Sequence, residues 1–172
     1  RLDRRLGRAG RPALRVVLDR RLRVPPGARL FEGEARTAGP VLVYTGREAD
    51  PGAAQALERA GATVVALARV EPATVLAELH GRGVRSVLVE GGARVAAAFV
   101  EAGLFDRVAI DCAPLLLGGE GAPGPVAGSG APTLEGAPRL DRFRALRRGP
   151  DLILTGLRHG CLPDLLRSVG AS

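Results

Sequence analysis

A glutamate and two glycines separate two apolar segments in the stretch SVLVEGGARVAAAFVEAG, residues 86–103. The run before Glu90 predicts a buried strand over 86–90, and the alanine-rich run predicts a helix over 92–102. Gly91 and Gly92 allow a tight turn and a close approach of backbone to a ligand. The first amides of such a helix have no acceptor within it and lie at the positive end of its dipole. The pattern predicts an anion site made of backbone, unless the glycines serve only the turn.

Glu90 is the titratable group of this stretch. A carboxylate at the carboxyl end of a buried strand lies where open α/β sheets bind their ligands. Such a group can accept hydrogen bonds from sugar hydroxyls or hold a proton for a reaction. The alternative is a solvated strand end, or a carboxylate that bonds to nearby backbone.

Other motifs give weaker indications. The segment GEGAPG at 119–124 matches the spacing GxGxxG, but the prolines and glycines that follow predict no helix for a dinucleotide to meet. His80 and His159 are far apart in the sequence, so no catalytic triad is indicated. Cys112 and Cys161 lack the spacing of a zinc site or a disulfide framework, and we expect no metal.

The net charge is concentrated at the start of the chain. Residues 1–23 contain nine arginines against Asp3 and Asp19, and the net formal charge of the whole sequence is +7. A basic arm can bind phosphates, yet aromatic residues make up 3% of the sequence and none lies in this arm. The arm therefore does not favour nucleic acid as a partner. A solvated surface and a small phosphorylated ligand or cofactor both remain open.

Strands and helices alternate through the middle of the chain. Strands are predicted at 14–19, 40–46, 63–67, 86–90 and 107–118, and helices at 52–60, from Pro72 to about 81, and at 92–102 with Val95, Phe99 and Ala102 facing inward. Continuous apolar strands are typical of a mainly parallel sheet with helices on both faces. The glycine-rich residues 118–132 predict a mobile loop or an ordered lid. Two strands joined at Gly149 and Pro150 predict an antiparallel edge to a mixed sheet.

Three further expectations concern the chain as a whole. No segment is long and apolar enough to cross a membrane, and no signal peptide is recognisable, so we predict a cytoplasmic protein. The sequence contains no methionine, and we expect it to be a piece of a longer protein. The segment from about 159 to 172 is expected to be a peripheral tail.

Two blocks of the sequence together resemble a known family. LRVVLDRRLRVPPGARLF, residues 14–31, and VLVEGGARVAAAFVEAGLFDRVAIDCAPLLLGG, residues 87–119, closely resemble the C-terminal reductase domain of bacterial bifunctional riboflavin-biosynthesis deaminase/reductases. The resemblance covers residues 1 to about 158, taken as one domain. It implies a dihydrofolate-reductase-like fold of three α/β/α layers, a mostly parallel mixed sheet and a C-terminal antiparallel hairpin. It also implies a homodimer that uses NADPH to reduce 5-amino-6-(5-phosphoribosylamino)uracil, a phosphorylated pyrimidine.

The resemblance also implies roles for individual residues. Gly91 and Gly92 match the glycines at which the cofactor pyrophosphate meets a helix N-terminus, and Glu90 matches a glutamate at the substrate and nicotinamide end of the pocket, where it would bind substrate or act in catalysis. The loop after the first strand matches the region near the cofactor 2′-phosphate; its candidate residues are Asp19, Arg20, Arg21 and Arg23. Leu2 and Arg5 match the end of a substrate-binding segment, with Arg5 a candidate for the substrate phosphate.

The front of the chain departs from the family pattern. The acidic-proline segment and the strand expected before Leu2 are missing, so we expect an N-terminally incomplete domain, and the sequence leaves open whether that domain is active by itself. The zinc deaminase motifs are also absent, and we expect that domain upstream or on a partner. Two rival interpretations are another dihydrofolate-reductase-like NADPH reductase of a different pterin or pyrimidine, and a non-catalytic nucleotide or nucleic-acid binder.

Overall fold

The computed structural model describes residues 12–32, 39–119, 121–122 and 124–161. Its chain forms two compact units, Arg1–Gly83 and Val84–Ser172. No helix in the described residues is long and apolar enough to span a membrane. The strands are β1 (Arg15–Leu18), β2 (Val41–Gly46), β3 (Ala62–Leu67), β4 (Arg107–Cys112), β5 (Leu140–Arg148) and β6 (Asp151–Arg158), and the helices are α1 (Pro51–Arg59), α2 (Pro72–Gly81) and α3 (Ala93–Glu101).

The first unit is built on a parallel sheet of order β1-β2-β3. All six residues of β2 are buried, because this central strand has a neighbour on each side. Helix α1 begins after Asp50, whose carboxylate accepts hydrogen bonds from the backbone N–H groups of Gly52 and Ala53. Leu57 of α1 packs into a core that it shares with Val41, Val43, Leu22 and Phe31.

Arg15 fixes the start of this sheet. Its side chain is 5% exposed, and its guanidinium donates to the carbonyls of Leu30 and Gly39. Burial lowers the pKa of Arg15. A charged group inside β1 therefore joins the strand to two points of the long connection that leads to β2.

The second unit contains an antiparallel sheet of order β4-β6-β5. Strands β5 and β6 form the predicted hairpin, and Gly149 in its turn has a φ of 63°. Strand β4 pairs with β6 from Arg107↔Leu157 to Cys112↔Leu152. The antiparallel part of the fold is thus three strands wide, whereas the sequence predicted a two-stranded hairpin at the edge of a single sheet.

The predicted strand at 86–90 is not formed. Residues 84–90 make no ladder in the described structure, and Val87 and Leu88 are 41% and 81% exposed. Apolar residues favour burial, but a strand also needs a neighbouring backbone to bond with.

Two smaller expectations also change. The predicted strand 107–118 ends at Cys112, and Leu115, Leu116 and Leu117 after it are exposed. Ala102 was predicted to face inward but is exposed. The buried residues of α3 are Ala97 and Phe99. Some predicted features lie outside the described residues. They are residues 162–172 of the tail, and Leu2 and Arg5.

Candidate functional site

The N-terminus of α3 is shaped by Gly92. This residue has φ 81° and ψ 173°, and the helix begins at Ala93 without any side-chain cap. The first bond of the helix runs from the Ala96 N–H to the Gly92 carbonyl at 3.0 Å. The amides of residues 93–95 therefore have no acceptor in the preceding turn, and they can donate to an anion.

The two glycines before α3 serve different purposes. A Cβ on Gly92 would meet nothing within 4 Å, so the space beside it is open, and its positive φ favours glycine. A Cβ on Gly91 would lie 2.8 Å from Cβ of Val95. Gly91 is therefore required by packing against the helix, and Gly92 is required by the turn itself.

Glu90 precedes this turn and is exposed. Its carboxylate has no hydrogen bond or ion pair within the described part of the chain, so it is available to a ligand. Sequence reasoning missed Arg94, an exposed residue of the first turn of α3. A cation at this position is unfavourable for the helix dipole but can bind an anionic ligand. Its position two residues after the glycine pair could have indicated this in the sequence.

The loop after β1 is organised by Asp19. Asp19 is 8% exposed; its Oδ2 accepts a hydrogen bond from the Val24 N–H at 2.7 Å, and its Oδ1 accepts one from the Arg21 N–H at 3.3 Å. Leu22 takes a positive φ of 51° between these two points and is buried. Asp19 therefore uses its oxygens to shape the loop, and its contribution to any ligand is indirect.

The same loop is attached to the carboxyl end of β2. The Arg20 carbonyl accepts the Thr45 hydroxyl and the Gly46 N–H, both at 3.1 Å. The Arg20 side chain donates from Nε to Glu48 Oε1 at 2.7 Å. A backbone hydrogen bond at Glu48, followed by the bond from Arg20, lowers the pKa of Glu48.

The side chains of the three arginines in this loop differ in their partners. Arg20 is engaged with Glu48, and Arg23 Nε lies 4.0 Å from Asp19 Oδ1. Arg21 is exposed and has no side-chain hydrogen bond or ion pair among the described residues. Sequence reasoning also missed Arg47 as a candidate. This arginine is exposed directly after β2, and the segment TGRE at the end of a buried strand could have indicated it.

The predicted site residues thus form two local groups. Asp19, Arg20, Arg21 and Arg23 share one loop of the first unit, and Glu90, Gly91 and Gly92 share one turn of the second. Among the described residues, no cluster of three or more His, Cys, Asp or Glu could hold a metal ion.

The three-stranded parallel sheet and the three-stranded antiparallel sheet, with their helices, make a mixed α/β fold, and its similarity to solved RibD structures places it in the dihydrofolate-reductase-like class. The sequence profile of the RibD C-terminal domain matches residues 1–154. The chain therefore belongs to the RibD C-terminal domain family, as its two blocks of sequence predicted.

Individual relatives agree with this membership. The riboflavin biosynthesis protein RibD of Bacillus amyloliquefaciens is 35% identical over 155 residues, which cover 89% of this chain and 41% of the relative. The 2,5-diamino-6-ribosylamino-4(3H)-pyrimidinone 5′-phosphate reductase of Methanothermobacter thermautotrophicus is 33% identical over 142 residues, covering 82% of this chain and 64% of the relative. The chain thus spans only part of the length of each.

Solved structures agree as well. Acinetobacter baumannii RibD matches with a TM-score of 0.66 and 26% identity, covering 84% of this chain and 37% of that one. The Thermotoga maritima deaminase/reductase matches with a TM-score of 0.67 at 23% identity, covering 91% of this chain and 40% of that one, and supports the fold alone.

Asp19 provides a first test. Replacing it with alanine leaves two loop amides without their acceptor, so the free energy of unfolding should fall by about 1–3 kcal/mol. Asp19→Asn keeps one acceptor oxygen and should lose less. Urea denaturation measures both, with Asp111→Ala, an exposed change in β4, as control. Unchanged stability in Asp19→Ala, with weaker cofactor binding, would instead make Asp19 a direct ligand.

Proposed function

We propose that the chain is the NADPH-dependent reductase of riboflavin biosynthesis that converts 5-amino-6-(5-phosphoribosylamino)uracil into its ribitylamino product. The observation that carries this proposal is the turn Glu90-Gly91-Gly92, which leads into a helix with free first amides. RibD relatives and the archaeal pyrimidinone phosphate reductase support the reaction class. NADPH, when bound, supplies a hydride.

The proposed cofactor-binding residues have separate tasks. The amides at the start of α3 would bind the cofactor pyrophosphate, because they have no partner in the described part of the chain and the space beside Gly92 is open. Arginines of the loop after β1 would bind the 2′-phosphate, since a guanidinium can grip a phosphate through two N–H groups. These two contacts are independent proposals, each resting on the geometry of its own unit.

Glu90 would act at the substrate. The reaction adds hydride to C1′ of the opened ribosylamine and a proton to the adjacent nitrogen. An exposed, unpartnered carboxylate can bind the sugar hydroxyls or assist that protonation. Arg5, with Leu2 nearby in the sequence, would bind the substrate phosphate; both lie outside the described residues. Water exclusion and positioning would supply the remainder of the catalysis.

Assembly and location belong to the same proposal. We expect a homodimer in the cytoplasm, with a zinc deaminase domain upstream in the same polypeptide or on a partner. The archaeal relative provides a second candidate substrate for this chain, because its name specifies the 2,5-diamino-6-ribosylamino-4(3H)-pyrimidinone 5′-phosphate. Both candidates share the phosphoribosylamino group, and they differ in the pyrimidine ring.

An NADPH oxidation assay tests the activity. The natural full-length protein should oxidise NADPH with the uracil substrate, and the archaeal relative's diamino substrate is compared in parallel. Glu90→Gln should lower turnover more than cofactor affinity, because its carboxylate faces substrate. Turnover of an unrelated pterin or pyrimidine alone, or NADPH-independent RNA binding with a steep salt dependence, would favour one of the rival functions.

The Gly92 turn is tested by valine. Gly92→Val introduces a branched side chain where the pyrophosphate approaches, so NADPH affinity should fall by more than about tenfold, or about 1.4 kcal/mol. Gly83→Val is the matched control, because Gly83 has the same φ of 81° and equally open surroundings. A fluorescence titration compares the two folded variants. Equal losses in both would indicate backbone strain rather than a lost cofactor contact.

Arg21 is tested by cofactor preference. Arg21→Ala should weaken NADPH binding by about tenfold and leave NADH binding unchanged, since only NADPH carries the 2′-phosphate. Arg20→Ala should have a smaller effect because Arg20 is engaged with Glu48. Arg59→Ala removes an exposed charge at the far end of α1 and serves as control. Equal weakening of both cofactors by Arg21→Ala would contradict this assignment.

A further inference from the structure

The second half of the glycine-rich loop follows the surface of α3. We define residues 124–130 as the strap. The Ala127 N–H donates to the Ala93 carbonyl at 3.0 Å, which attaches the strap to the first turn of the helix. The Ser129 N–H donates to Glu101 Oε1 at 2.9 Å, so the strap is also attached through a residue of the last turn.

Between these bonds, the strap lies against the helix. A Cβ on Gly128 would lie 2.9 Å from Cβ of Ala97 and 3.2 Å from Cδ of Glu101. Gly128 also has a φ of 87°, and Ala97 is 2% exposed. The backbone therefore approaches the helix too closely for any side chain at this position.

The three contacts follow one stripe of the helix. Residues 93, 97 and 101 are spaced by four and lie on one face. Side chains of a helix tilt toward its N-terminus, which allows Glu101 to reach back to Ser129. The strap is thereby held next to the same first turn whose amides are free.

Glu101 is poorly placed for the helix itself. A carboxylate in the last turn faces the negative end of the dipole and destabilises the helix. α3 has no basic residue in its last turn to offset this charge. The bond to Ser129 is the favourable contact that the structure shows for this carboxylate.

We propose that Glu101 is a positioning residue that holds the strap along α3 and so fixes the wall beside the cofactor-binding first turn. This inference rests on the proposed function, because it assigns the strap an effect on NADPH binding. Glu101 does not touch the reacting atoms; it acts through the Ser129 amide and the backbone of the strap.

The decisive comparison is Glu101→Ala against Glu101→Gln in the natural full-length protein. In Glu101→Ala, the Ser129 amide should exchange its hydrogen faster, and KM for NADPH should rise about two- to tenfold with a smaller change in kcat. Glu101→Gln keeps the acceptor Oε1 and should behave like wild type. Glu58→Ala removes an exposed carboxylate from the last turn of α1 and should change neither quantity.

A second pair of variants tests the strap with Glu101 left unsubstituted. Gly128→Ala places a methyl group against the Glu101 carboxylate and Ala97 and should lift the strap, with the same rise in KM. Gly130→Ala has a positive φ of 66° but open surroundings, and it should have less effect.

Each remaining outcome has a definite meaning. Unchanged Ser129 exchange in Glu101→Ala, equal defects in the alanine and glutamine variants, or a loosened strap with unchanged KM would each overturn the inference. A wild-type protein that does not bind NADPH refutes the proposed function and the effect on the cofactor. The exchange measurement then still decides whether Glu101 holds the strap.

Discussion

The beginning of α3 depends on one backbone conformation. Gly92 turns the chain at a positive φ, and the helix starts immediately after it, without a side-chain cap. In most helices a Ser, Thr, Asp or Asn would satisfy one of the first amides. Here the amides of residues 93–95 have no acceptor among the described residues, directly after the carboxylate of Glu90. The dipole alone contributes about 0.3–1 kcal/mol to an anion, so direct amide bonds must supply the larger part of any affinity.

In the first unit, several arginines lie close together on the loop after β1. Asp19 anchors the backbone of that loop, and the Arg20 carbonyl joins it to Thr45 and Gly46 of β2. The loop is therefore shaped by the protein rather than by a ligand. The side chain of Arg21 makes no hydrogen bond or ion pair among the described residues, and this pattern agrees with a phosphate-binding role.

The elements that were predictable are those with complete local signals. Helix α1 has Asp50 before it and Gly61 after it, and the β5–β6 hairpin has Gly149 in its turn, so both lie close to the predicted positions. Residues 86–90 were predicted wrongly because apolar sequence does not specify the neighbouring strand. The sequence singled out the loop at 19–23 and the glycine pair as candidate site residues, and that assignment stays a prediction. The sequence could not separate Asp19, which bonds to backbone, from Arg21, nor could it show Glu101 reaching the strap, because those contacts join residues distant in the sequence.

The structure of the protein with bound NADPH tests the central claim most directly. We predict pyrophosphate oxygens within hydrogen-bond distance, about 2.7–3.2 Å, of the amides of residues 93–95. A dinucleotide bound on another surface, with those amides bonded to the protein's own carbonyls or side chains, would contradict the account.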